Sequence, residues 1–160
     1  MTNIDAVTPN QDERVMAALS HVSALLPMMG VIAPIIIWAT QKEKSQYIAF
    51  QSLQAVAFQL SMVAAWFIGM GCYMCSFFGT FFTLPFSDSS QSASPLFTLG
   101  FIIPFLVFGA IFIGGLLFVI YGLVGAVMAF QGKPFRYVII GKRVEQFMQP
   151  KQDQDMVANQ

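Results

Sequence analysis

Apolar residues run along this chain in three long blocks, separated by two polar links and followed by a mixed basic and aromatic segment. The first block extends from about Val15 to Ala39, a little more than the ~20 residues a helix needs to cross the hydrocarbon of a bilayer. It predicts a transmembrane helix over 15–39, kinked or locally broken by Pro27, Gly30 and Pro34. Trp38 near its end fits an interfacial anchor. The polar link Gln41-Lys42-Glu43-Lys44-Ser45-Gln46 then turns the chain. The second block, Tyr47 to Leu84, is too long for one straight span. Its first third sets Gln51, Gln54 and Gln59 among Phe50, Leu53, Val56 and Phe58. That pattern predicts an interfacial amphipathic piece over 46–58 and a span over 60–82. A polar loop, Asp88 to Pro95, leads into the third block, Leu96 to Phe130. Pro104 divides it into a short entry piece and a span over 105–130; two short spans turning at Gly114-Gly115 are the alternative.

The expectation is an all-α integral membrane bundle of three transmembrane helices, with interfacial amphipathic pieces before the second and the third. Residues 12–148 form a single membrane domain, between tails at 1–11 and 149–160 that are expected to be disordered.

Composition agrees with that pattern. Hydrophobic residues make up 56% of the 160 and charged residues 10%, against about 25% charged in soluble domains. Between Lys44 and Lys133 the one formal charge is Asp88, so that stretch belongs in lipid. Lys and Arg then set the orientation. The first link has Lys42 and Lys44, the Ser-rich loop has neither type, and Lys133, Arg136, Lys142, Arg143 and Lys151 follow the last span. Three spans therefore predict a multi-pass protein of the cytoplasmic membrane, N-terminus outside and C-terminus cytoplasmic, with Arg14 alone on the wrong side. The acidic start, Asp5, Asp12 and Glu13, is unlike the basic n-region of a secretory signal. The first apolar segment is expected to stay in the mature protein.

Several residues could carry chemistry. Cys72 and Cys75 form a CxxC flanked by Met70 and Met74, soft ligands suited to Cu(I) or to thiol redox cycling. His21, at a similar expected depth, could complete such a metal site. Cys72 also falls on a stripe of small residues, Ala57, Ser61, Ala65, Gly69, Cys72, Ser76 and Gly79, of the kind that lets membrane helices pack closely. Its simpler role is packing, with Ala65, Gly69, Cys72 and Ser76 at a helix–helix contact. His21 is the lone ionisable group deep in the first block. A neutral imidazole, hydrogen-bonded to a glutamine or to a carbonyl freed by Pro27, is favoured there over a proton relay, which lacks a second titratable partner. Gly122, Gly125, Ala126 and Ala129 make small-xxx-small pairs that serve either a dimer seam or contacts within one chain. Lys133, Arg136, Lys142 and Arg143 interleave with Phe135, Tyr137, Val138, Ile139 and Ile140, which predicts lipid-headgroup contact rather than nucleic-acid binding. No glycine-rich phosphate loop is present, and no cofactor, resident metal or catalytic residue is expected.

The stretches Asp12-Glu13-Arg14, Ala18-Leu19-Ser20-His21, Ala33-Pro34-Ile35-Ile36-Ile37-Trp38 and Phe50-Gln51-Ser52-Leu53-Gln54-Ala55-Val56-Ala57-Phe58-Gln59 resemble a bacterial domain-of-unknown-function family. Phe130-Gln131-Gly132-Lys133-Pro134-Phe135-Arg136-Tyr137 resembles its C-terminal exit motif. That family is similar to the Tic-twenty import component of chloroplasts and to the MamF and MmsF magnetosome membrane proteins. Where the family usually has His and Lys, this chain has Gln51 and Leu53, so no role resting on that pair carries over. The resemblance implies a small helical membrane protein with protein–protein roles and no catalytic residues. Three functions follow as expectations. The first is a non-enzymatic protein acting through helix–helix association, as accessory subunit, scaffold or oligomer, with the bilayer and another membrane protein or itself as partners. The second is a translocation conduit whose glutamines line a polar path. The third is a soft-metal or thiol-redox protein built on His21, Cys72 and Cys75.

Overall fold

A computed structural model describes residues 8–26, 30–83, 95–133 and 135–148, all helical or irregular, with no strand among them. Helix α1 spans Gln11–Val22 and tightens into a 3-10 turn at Ser23–Leu25. Helix α2 spans Ile32–Gln41, α3 Gln46–Thr83, α4 Pro95–Phe130 and α5 Ile140–Met148. Two of these, α3 and α4, are long and apolar enough to cross a membrane. The all-helical membrane architecture is the expected one, but its subdivision differs in three places.

The first apolar block is two short helices rather than one span. α1 starts inside the expected tail, because Asn10 caps it: the Asn10 carboxamide accepts from the Glu13 N–H at 2.9 Å, and the Glu13 carboxylate accepts from the Asn10 N–H at 2.8 Å. Near its other end the chain closes on itself at Gly30, where a Cβ would sit 2.2 Å from the Ser23 carbonyl oxygen. Only glycine fits such an approach. Pro34 falls in the first turn of α2, where a missing N–H costs nothing, and α2 packs against α1. At 12 and 10 residues neither helix is long enough to span. Pro27 lies outside the described residues.

The chain separates into two compact units, Met1–Ser61 with Val119–Gln160 and Met62–Phe118. In the first unit, three parts of the chain meet at one end. The Tyr47 hydroxyl, one residue into α3, donates to the Ala129 carbonyl near the end of α4 at 3.1 Å. Arg14, in the first turn of α1, donates from Nε to the Pro9 carbonyl at 2.9 Å and lies against Gly132, just past α4, where a Cβ would sit 2.7 Å from that Nε. The start of α1 is thus beside the start of α3 and the end of α4.

Gly132 also ends α4. With φ at 73° it takes the left-handed conformation that glycine adopts without strain. The Gly132 N–H donates to the Ala129 carbonyl at 2.9 Å and the Lys133 N–H to the Met128 carbonyl at 3.1 Å, the paired bonds of a Schellman cap.

The second difference is in α3. Its first third, expected as a separate interfacial piece, continues into the rest as one helix. Phe50, Gln51, Ser52 and Gln54 are buried there, so the glutamines face protein rather than headgroups.

The third is α4, which runs through Pro104 unbroken. Proline lacks the N–H that would reach the Gly100 carbonyl, four residues earlier. In the second unit the Thr80 hydroxyl donates to that carbonyl at 2.6 Å, and Gly100 admits the threonine to within 3.4 Å of where a Cβ would stand. A neighbouring helix supplies the bond that proline removes. The second unit otherwise exposes large apolar side chains, among them Ile68 (69%), Phe105 (76%) and Phe112 (68%), as a lipid-facing surface does.

Candidate functional site

The densest chemistry lies inside the first unit, around His21. α1 carries Ala17, Ser20 and His21 on its buried face, and Ala24 of the 3-10 turn continues it. α4 comes close because Gly122 and Gly125 have no side chain. A Cβ on Gly122 would lie 3.4 Å from that of Ala24, and one on Gly125 would lie 2.9 Å from the Phe135 ring and 3.2 Å from His21 Nδ1. Ala126 and Ala129 are buried beside them. The expected small-residue seam of Gly122, Gly125, Ala126 and Ala129 is therefore used within one chain, to seat α1 and the segment after α4.

That segment, 135–139, is drawn inward by two glutamines of α3. Gln54 donates from Nε2 to the Phe135 carbonyl at 3.1 Å and accepts at Oε1 from the Tyr137 N–H at 3.0 Å. One carboxamide thus satisfies two backbone groups, as a neighbouring strand would. Gln51 donates from Nε2 to the same carbonyl at 3.3 Å. That bond fixes the Gln51 amide, leaving its Oε1 to face His21 Nε2 at 3.2 Å. The imidazole then carries its proton on Nε2 and donates to Gln51, and Nδ1 accepts from the Tyr137 hydroxyl at 3.0 Å. Burial pushes Tyr137 above its usual range, so the hydroxyl keeps the proton it donates.

Rings close the cluster. Phe58 stacks on Tyr137 with centroids 4.2 Å apart, Tyr121 meets Tyr137 edge-on at 5.2 Å, and Phe135 meets His21 edge-on at 6.0 Å. Farther along α3, Gln59 donates to the Ser20 carbonyl at 3.3 Å and the Ser23 hydroxyl at 3.0 Å, where α1 tightens into its 3-10 turn. Its Oε1 is buried without a protein partner among the described residues. Ser20 and Ser52 hydroxyls are 3.1 Å apart.

The predicted residues divide as follows. His21 is the neutral, glutamine-bonded imidazole favoured above, with Tyr137 rather than a freed carbonyl on its second nitrogen. Gln51, Gln54 and Gln59 are buried and bond to protein groups. Cys72 and Cys75 are exposed on α3 in the second unit, and no three His, Cys, Asp or Glu side chains gather as metal ligands among the described residues. In the packing stripe, Gly69 lies against Ile111 of α4, where a Cβ would be 2.9 Å from Cγ1. Ala65 and Cys72 are exposed, and Ser76 bonds back to the Cys72 carbonyl at 2.9 Å. Phe135 and Tyr137, expected at the headgroups, are buried instead, because the glutamines hold their backbone. Lys133, Lys142 and Arg143 are exposed, whereas Arg136 pairs with Glu145 at 3.7 Å. Sequence reasoning missed the part of Gln54 and Tyr137; the one available signal was Gln51, Gln54 and Gln59 set among apolar residues.

The cluster is a lock of neutral donors and acceptors that ties 135–139 to α1, α3 and α4. No curated protein and no solved structure matches the chain, and the similarity to the Tic-twenty import component finds no support. The profile of one family matches residues 12–144, a range that takes in every residue of this lock. The chain belongs to the magnetosome magnetite crystal formation protein family of MamF and MmsF.

Proposed function

We propose that this chain is a non-enzymatic membrane protein that works by associating with further copies of itself, through the second unit, as a scaffold in its membrane. One observation carries the reading. Between α3 and α4 of that unit lies an apolar groove of about 400 Å³, floored by Ala65, Gly69, Ala110, Gly114 and Gly115. A Cβ on Gly114 or Gly115 would have nothing within 4 Å beyond the helix's own backbone, and the same holds for Gly71, Gly79 and Gly109. A helix-interior glycine costs about 1 kcal/mol relative to alanine, and nothing within the chain offsets that cost here. Glycines that let another helix come close offset it through packing. The family's description supports a place in the magnetosome membrane, where such a scaffold would organise the surface on which magnetite forms. Native mass determination in mild detergent tests the association. We expect a dimer or larger particle, reduced to monomer by Gly114→Leu and Gly115→Leu at unchanged helix content. A strictly monomeric wild-type protein overturns the reading.

The arrangement of the first unit supports a topology of two crossings with α1 and α2 as a re-entrant pair. Arg14, Lys42, Lys44, Lys133, Arg136, Lys142 and Arg143 then all lie on the cytoplasmic side, and Arg14 is no longer an exception.

A further inference from the structure

Helix α5 leaves part of its apolar surface uncovered. One side of it is packed: Val144 is buried against Phe50, with Leu53, Ala57, Ile140 and Met148 around them. Beside that contact runs a groove of about 510 Å³ between α3 and α5, walled by Leu53, Ala57, Ile140 and Val144. This is within the ~300–1,000 Å³ range of small-molecule sites. Along its outer edge stand Arg143 and Phe147, one helical turn apart on α5, and Ile139 just before the helix. Ile139 is 82% and Phe147 77% exposed. A cation thus stands between two large apolar side chains that water would not favour.

Among the described residues on and just before α5, the charge left without an ion pair has one sign. Lys133, Lys142 and Arg143 make no ion pair among the described residues, while the nearby carboxylate Glu145 is taken by Arg136. The groove opens where α5 follows the end of α4 by ten residues, at the end of the first unit that gathers the basic residues.

We propose that this groove is a binding site for one anionic phospholipid, an acyl chain lying between α3 and α5 and the phosphate on the Arg143 guanidinium. An apolar channel with a forked donor at its rim fits that amphiphile. A second protein copy would bring no such phosphate. The guanidinium holds two oxygens at once, which Lys142, on a different line of the helix, does not reproduce. The inference rests on the chain being embedded in the membrane; alkaline carbonate extraction reads that separately, since a protein released from vesicles would fail there first.

Native mass spectrometry of the purified full chain, titrated with phosphatidylglycerol or phosphatidylcholine of the same acyl chains, tests it. We expect one phosphatidylglycerol retained per chain, in preference to phosphatidylcholine. Arg143→Gln should weaken that retention about tenfold, as loss of a charge-assisted hydrogen bond does, and bring it to the phosphatidylcholine level. Phe147→Ser should weaken both lipids, and Lys142→Gln should change either less than about twofold. Helix content by circular dichroism verifies that each variant is folded; Arg143, Lys142 and Phe147 are all exposed. Equal retention of the two lipids by the wild type overturns the proposal. So does an equal loss in Lys142→Gln and Arg143→Gln, which would mean diffuse charge attraction. A dimer that Phe147→Ser abolishes, with no lipid retained, assigns the groove to a second copy and overturns it as well.

Discussion

Gln54 shows how much one side chain can settle. Its carboxamide accepts from the Tyr137 N–H and donates to the Phe135 carbonyl, both in a segment that has no ladder of its own. Gln54→Leu would keep the volume but leave the Tyr137 N–H buried without an acceptor, which costs about 1–3 kcal/mol. Gln46→Leu, at an exposed position of the same helix, should stay within about 0.5 kcal/mol. Reversible unfolding in micelles measures both, and equal stability of the two variants would mean that the tail is not held this way. The residue types hinted at this, since Gln51, Gln54 and Gln59 among apolar neighbours ask for partners. Which partners they find was not legible, because Phe135 and Tyr137 are more than eighty residues away along the chain.

At the scale of the helix, the prolines and glycines read correctly as special positions but not for their consequences. Pro104 predicts a break by the loss of one hydrogen bond, and the Thr80 hydroxyl makes that loss good from a different helix. Thr80→Val should therefore destabilise the α3–α4 pairing of the second unit by about 0.6–1.7 kcal/mol, the range of interhelical hydrogen bonds in membranes. It should also speed amide hydrogen exchange around residues 100–108, and Thr80→Ser should restore protection. Unchanged exchange in Thr80→Val would mean that α4 tolerates Pro104 unaided. Gly30 acts in the opposite sense: the contact with the Ser23 carbonyl turns an apolar block long enough to cross into two helices that are not.

For the whole molecule, the proposed re-entrant pair puts the N-terminus on the same side as the basic tail. With Cys72 and Cys75 replaced by serine, single cysteines at Thr8, Ser45 and Lys142 should all react with an impermeant maleimide from the same side of sealed vesicles. Labelling of Thr8→Cys from the side opposite to Lys142→Cys would restore three crossings and overturn the re-entrant pair. The charge rule alone could not choose between these topologies, because Arg14 is a single residue set against Asp12 and Glu13.

What the amino-acid order determined by itself is the medium: a long interval with one carboxylate has too little to hold it in water, and hydrocarbon forces its backbone into helices. Composition and local pattern suffice for that, because transfer to lipid is a sum over residues. The tertiary structure decided whether an apolar block forms one helix or two, and whether a proline breaks its helix. It also decided that the aromatics after α4 lie inside the protein. The first turns on the close approach of Gly30 to the Ser23 carbonyl; the others depend on hydrogen bonds between residues distant in the chain, Thr80 with Gly100 and Gln54 with Tyr137, and no periodicity encodes such a meeting.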